Sequence, residues 1–254
     1  MPKGSLAPER TPEKLVALRE VVVVYAGIAA ATLAVGYTHS WLTRDYGHLL
    51  LAVTFLATAL HLSRRRAGSA VDYGIDLCGV LEARTDAEGL PERLSATLRR
   101  ALPRLGTESG VALLCALLVF PPFVVGFRIF HHVQAPFTLH APRDLGDFML
   151  GQLIVVALPE EALFRGYFQT RLRAVFPTER RLLGVQLSLG ALSCQAALFA
   201  LLHFLVGFTP ARLSVFFPGL LFGYLREKRG GIGAAVWFHA LSNLFSEVLT
   251  RGYL

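Results

Sequence analysis

Apolar residues dominate this chain in long runs, and polar residues are mostly confined to the breaks between them. Crossing a hydrocarbon core takes about 17–25 residues in a helix. Candidate runs lie at 21–38, 46–62, 109–127, 147–168, 182–207, 211–225 and 231–249. The first, Val21 to Thr38, carries no charge. The sixth is short and contains Pro218, which suits a tilted, kinked or re-entrant segment, and Pro121-Pro122 should bend the third. The pattern predicts an all-α fold, a polytopic transmembrane helix bundle of seven spans, or eight if 68–82 also dips into the bilayer.

Composition supports that reading. Hydrophobic residues are 54% of the 254 and charged residues 17%, with a mean hydropathy of +0.50; a soluble domain is typically about 25% charged. The net charge of +7 is unevenly placed. Lys3, Arg10, Lys14 and Arg19 precede the first run, and eight arginines from Arg64 to Arg104 separate the second from the third. Arg171, Arg173, Arg180 and Arg181 follow the fourth, and Arg226, Lys228 and Arg229 follow the sixth. The alternate loops hold only Arg44, then Arg128 and Arg143, then Arg212. The positive-inside rule then gives an integral protein of the cell (inner) membrane with a cytoplasmic N-terminus. Its basic residues face lipid head groups, not nucleic acid. The leader before residue 21 is mixed in charge and the run after it is long, so an anchor is expected rather than a cleavable signal peptide. Cys78, Cys115 and Cys194 fit neither a disulfide framework nor a zinc cluster and read as packing residues.

The organisation expected is one integral-membrane domain without internal repeats. Residues 1–140 supply N-terminal membrane helices and a cytoplasmic amphipathic loop at about 63–108; residues 141–254 supply a helical core. Within the loop, Pro91 suits a first helical turn. Leu94, Leu98, Leu102 and Leu105 follow near helical spacing, with Arg93, Arg99, Arg100 and Arg104 elsewhere on the wheel. That pattern fits a helix in the membrane interface or, equally, a linker packed on the bundle.

Charges inside the apolar runs point to the chemistry, because each costs about 2.5–3.5 kcal/mol on insertion scales. Leu158-Pro159-Glu160-Glu161-Ala162-Leu163-Phe164-Arg165-Gly166 holds two acids and an arginine. Glu161 and Arg165 are four apart and can neutralise each other. Glu160 has no such partner on its own helix and must find one elsewhere. Pro159 removes a backbone bond beside it and loosens the helix there. The fifth run carries Phe199 and His203 four apart, and the seventh carries His239 and Asn243 four apart. Glu with His can hold and deprotonate a water, and His with Asn can donate to a developing oxyanion. Singly, each of these residues is more often helix-to-helix glue. His39, His48, His61, His131, His132 and His140 sit near membrane boundaries, where amphipathic residues are ordinary.

Glu160-Glu161-x-x-x-Arg165, Phe199-x-x-x-His203 and His239-x-x-x-Asn243, in this order on successive apolar runs, resemble the three motifs of the CPBP family. That family includes CAAX prenyl endopeptidases of the Rce1 type and bacterial bacteriocin-processing or self-immunity relatives. The resemblance covers roughly residues 145–250. It implies an intramembrane endopeptidase of glutamic type acting on a membrane-embedded or lipid-anchored protein or peptide. It further implies Glu160 as general base, His203 positioning the water, His239 and Asn243 at the oxyanion, and Glu161, Arg165 and Phe199 in support. No cofactor is expected.

The residues leave two alternatives. Glu160, His203 and His239 can make a three-ligand zinc site with one open position, although neither His-Glu-x-x-His nor any His-x-x-x-His pair occurs. Intramembrane acids and histidines also serve transport, and a membrane immunity or scaffold protein needs no catalysis at all.

Overall fold

The computed structural model describes residues 10–38, 40–76, 89–177 and 179–254. Long helices dominate: α1 (Arg10–Tyr37), α2 (Trp41–Ala67) and α3 (Leu90–Phe130) come first. A helical rod follows, made of α4 (Leu145–Leu150), a π-helical stretch Gly151–Ala157, α5 (Leu158–Glu161), a second π-helical stretch Ala162–Phe168, and α6 (Gln169–Val175). Then come the strands β1 (Arg180–Leu182) and β2 (Val185–Leu187), followed by α7 (Leu189–Leu205), α8 (Phe216–Arg229) and α9 (Gly233–Tyr253).

All seven predicted apolar runs fall on helix, at least in part. Pro12–Tyr37, Trp41–Ala67 and Leu94–Phe130 are each long and apolar enough to cross a membrane. Large apolar side chains cover their outer faces, with Leu113, Leu114, Leu117 and Leu118 all exposed and Leu117 at 73%. A water-soluble helix would turn such a band inward; here it faces the hydrocarbon.

Three boundaries differ from expectation. The amphipathic segment and the third span are one unbroken helix, α3. Its Leu94, Leu98 and Leu102 point outward, so the stripe does not pack on the bundle. The fifth run opens with a hairpin and becomes helical only at Leu189. Leu183 and Gly184 both take positive φ there, as a two-residue hairpin turn requires. The sixth opens with a short 3₁₀ turn over Pro210–Val215 before α8. The described part of 68–82 is a turn. Gly68 closes α2 in the left-handed conformation, a 3₁₀ turn covers Val71–Tyr73, and Tyr73 and Ile75 are buried. Residues 77–82 and Cys78 lie outside the described residues. Cys115 and Cys194 are free, half-buried thiols, in keeping with packing roles.

The main core joins α1, α2 and the 70–75 turn to the central rod and α7, through Phe55, Tyr73, Ile75, Phe164, Phe168 and Phe199. Tyr73 stacks on Tyr167 with ring centroids 6.0 Å apart. Gly166 permits this approach, since a Cβ there would lie 2.5 Å from Ile75 Cγ1. A second core ties α9 to α3, where Phe120 and Phe245 stack at 4.0 Å. Polar clamps fix α8 against the rod. Gln169 Nε2 donates to Gly223 O and to Glu227 Oε1, at 3.0 and 2.9 Å, and Arg226 Nη2 donates to Thr170 Oγ1 at 2.8 Å.

Candidate active site

Pro159 shapes the rod around the acids. It has no N–H to donate and its ring crowds the carbonyl of Val155, so the regular α pattern cannot run through it. Just before it, the Leu158 N–H bonds to Leu153 O, five residues back. The same five-residue bond recurs after the acids, from the Gln169 N–H to Phe164 O. π-turns inside α-helices are concentrated at functional sites. Here two of them bracket the four residues of α5 that carry Glu160 and Glu161.

The two acids point different ways. Glu160 is partly open, its side chain 18% exposed, at the wall of a cavity of about 460 Å³. Glu161 is sealed inside with Arg165, Nη1 to Oε1 2.9 Å, both side chains at 0%. The Arg165 guanidinium lies over the Phe199 ring at 4.2 Å and near Phe222 at 5.0 Å, so aromatic faces complete its neutralisation.

Both motif histidines turn Nε2 toward Glu160. His203 Nε2 is 4.0 Å and His239 Nε2 3.7 Å from Glu160 Oε2. Each ring is held by its other nitrogen. His203 Nδ1 is 3.0 Å from Phe199 O. A carbonyl only accepts, so Nδ1 carries the hydrogen and neutral His203 presents a bare Nε2 to the cavity. His239 Nδ1 is 2.8 Å from Glu161 Oε1, and its ring stacks on Phe222 at 4.9 Å. Glu161 thus serves Arg165 and His239 together. The 3.7 and 4.0 Å separations exceed a direct hydrogen bond.

Asn243 lies one turn beyond His239 and lines the same cavity, where its Nδ2 donates to Gln152 Oε1 at 2.7 Å. Glu160, His203 and His239 therefore converge directly, while Asn243 reaches the cavity through a bond to Gln152. Among the described residues, no group of three or more His, Cys, Asp or Glu is arranged to hold a metal ion.

Three cavity residues escaped the sequence reading. Gln152 is a lone amide in an apolar run, which signals nothing by itself. His48 belongs to the histidines set aside at membrane boundaries, yet it lines the cavity. Arg212 figured only as a loop charge. A second cavity of about 400 Å³ continues from the first between α1 and α2, sharing Thr32, His48, Leu51 and Val206. The site sits toward the C-terminal end of α7.

Comparison with known proteins gives one result. Residues 145–245 match the family model for type II CAAX prenyl endopeptidases, Rce1-like. No curated protein and no solved structure matches the chain.

Proposed function

We propose that this integral-membrane chain, whose residues 145–245 match the Rce1-like family of type II CAAX prenyl endopeptidases, is a peptide hydrolase that cleaves its membrane-associated substrate with a water activated by Glu160 and His203, without a metal. The observation that carries the reading is the approach of two histidine Nε2 atoms, at 3.7 and 4.0 Å, to one oxygen of Glu160, which lines a cavity together with His203.

A water between these groups donates one hydrogen to Glu160 and the other to the bare Nε2 of His203. Glu160 takes its proton as the oxygen attacks the substrate carbonyl. The carbonyl becomes an oxyanion within reach of the His239/Asn243 side of the cavity. His239 donates from Nε2 only as an imidazolium, because Nδ1 already donates to Glu161. The Glu161 carboxylate, which also accepts from Arg165, stands against that ring. Glu160 then returns its proton to the leaving amine, the carbon–nitrogen bond breaks, and an acid and an amine are released. The substrate read here is a lipid-anchored or membrane-embedded protein or peptide. The arginine-rich side of the bundle is the cytoplasmic side, with the N-terminus there and the whole in the cell (inner) membrane.

The test is substrate trapping. Membranes bearing the Glu160→Gln chain should accumulate an uncleaved C-terminal or transmembrane segment that the wild type removes. Identical peptide profiles in the two membranes would refute the reading.

A further inference from the structure

We propose that Arg212 is an anion-binding residue of the substrate cavity and that its ligand is the free C-terminal carboxylate of the substrate. The proposal rests on the peptide-hydrolase reading above and adds to it a recognised group.

Arg212 is the one Lys or Arg among the residues lining the cavity that holds Glu160, His203 and Asn243. The 3₁₀ turn Pro210–Val215 carries it, fixed by the Arg212 N–H bonding to Thr209 O at 2.9 Å. Its side chain folds back across Gly207, where a Cβ would lie only 3.6 Å from Nε. The guanidinium is thereby laid against the end of α7, beside Val206 of the cavity wall.

Among the described residues, no acid is paired with this charge. The loop from Val206 to Val215 contains no Asp or Glu. Two acids line the cavity and both are otherwise engaged. Glu160 faces the histidines, and Glu247 Oε1 accepts from Arg251 Nε at 2.6 Å. Arginine in a membrane protein is normally paired or in contact with head groups. Arg212 is exposed on its turn while also lining the cavity, so its fork is open to an anion, and a carboxylate fits that fork with two parallel hydrogen bonds. The bond to be cut offers such an anion when it lies close to a chain end. A C-terminal Cys-a-a-X sequence carries a free carboxylate within a few residues of its cysteine. Reading that carboxylate would set the register of the cut, because the carbonyl facing Glu160 would lie a fixed number of residues from the terminus.

The experiment uses the purified full-length chain in phosphatidylcholine vesicles, with two prenylated-cysteine peptides identical except for a terminal carboxylate or carboxamide. The wild type should cleave the carboxylate peptide with a kcat/KM about 10- to 100-fold higher, the worth of a charge-assisted hydrogen-bond pair, chiefly through KM. Arg212→Gln should bring the ratio near one by raising KM for the carboxylate peptide, and Arg212→Lys should restore part of it. Equal cleavage of the two peptides by the wild type, cleavage of neither, or an equal loss on both in Arg212→Gln would overturn the proposal. So would an Arg212 effect that appears only when phosphatidylglycerol is added and is the same for both peptides, which would make a lipid phosphate the ligand. Glu160→Gln, run alongside, separates the two readings. Turnover that needs Glu160 but ignores the terminus removes the carboxylate alone, whereas turnover indifferent to Glu160 removes the hydrolytic reading itself.

Discussion

Glu161 Oε1 stands 2.8 Å from His239 Nδ1, on a helix 78 positions further along the chain. The same oxygen accepts from Arg165 at 2.9 Å, so one buried carboxylate joins a structural ion pair to a motif histidine. Substituting Glu161→Gln should therefore do two things at once. Leaving Arg165 buried without its counter-charge should destabilise the fold by about 3–5 kcal/mol. Losing the acceptor that holds His239 should lower turnover as well. Adding Arg165→Met to Glu161→Gln removes the stranded charge, so melting temperature in detergent should recover while turnover does not. Recovery of both would make Glu161 purely structural.

Glu160 asks for the opposite outcome. Among the described residues its Oε2 has no hydrogen-bond partner, and it stands 3.7 and 4.0 Å from the two histidines. Glu160→Gln keeps the shape and loses the base. Turnover should fall about 100- to 10,000-fold, the usual worth of general acid–base help, with melting close to that of the wild type. Near-normal cleavage by the purified variant would end the proposed mechanism.

Much of this was legible in the sequence, for a definite reason. Helical spacing reports what lies on one face of one helix, so the Glu161–Arg165 pair and the two histidine motifs could be read directly. Contacts between helices leave no such trace. The bond from Glu161 to His239, and the one from Gln152 to Asn243, depend on how the rod packs against α9. The hairpin at 180–187 was hidden because its strands are flanked by apolar residues that extend the α7 run, although Gly184 was a turn signal. The joining of the loop helix to the third span was hidden because the polar stretch Gly106-Thr107-Glu108-Ser109-Gly110 separates the leucine stripe from the apolar run, yet α3 runs through it. The π-stretches could be inferred only as a loosening at Pro159.

Asn243 and Gln152 form a testable pair of amides. If Asn243 serves the oxyanion, Asn243→Ala should cut turnover about 100- to 1000-fold, as loss of one such donor commonly does, with little change in KM. Losses in His239→Ala and Asn243→Ala should be non-additive in the double variant, since both would act on one transient charge. Gln152→Ala should produce a smaller fall in turnover, because it frees the Asn243 amide without removing it. If Asn243 only ties α9 to the rod, Asn243→Ala will lower melting while folded enzyme keeps its turnover.

Metal dependence can be decided by chelation. If water is activated by Glu160 and His203 alone, purified protein should hold no stoichiometric zinc and should keep its activity in strong chelators at neutral pH. Inactivation by chelator, reversed by zinc and accompanied by about one bound metal per chain, would establish the three-ligand alternative of Glu160, His203 and His239.

Gly166 tests the packing that holds the acids in place. It follows Arg165 directly, and a methyl group there would meet Ile75 Cγ1 at 2.5 Å and Cδ1 at 2.8 Å. Ile75 is fully buried in a turn anchored by the Ile232 N–H bonding to Gly74 O at 3.0 Å, so it has little room to retreat. Gly166→Ala should destabilise by about 1–3 kcal/mol, the usual cost of overpacking a core. It should also lower turnover by pushing the second π-stretch, and with it Arg165, away from the 70–75 turn. Ile75→Ala in the same chain opens the space the new methyl needs. The double variant should therefore melt above Gly166→Ala alone and regain part of its turnover. If the two substitutions simply add, the close approach at Gly166 does not govern the placement of the acids.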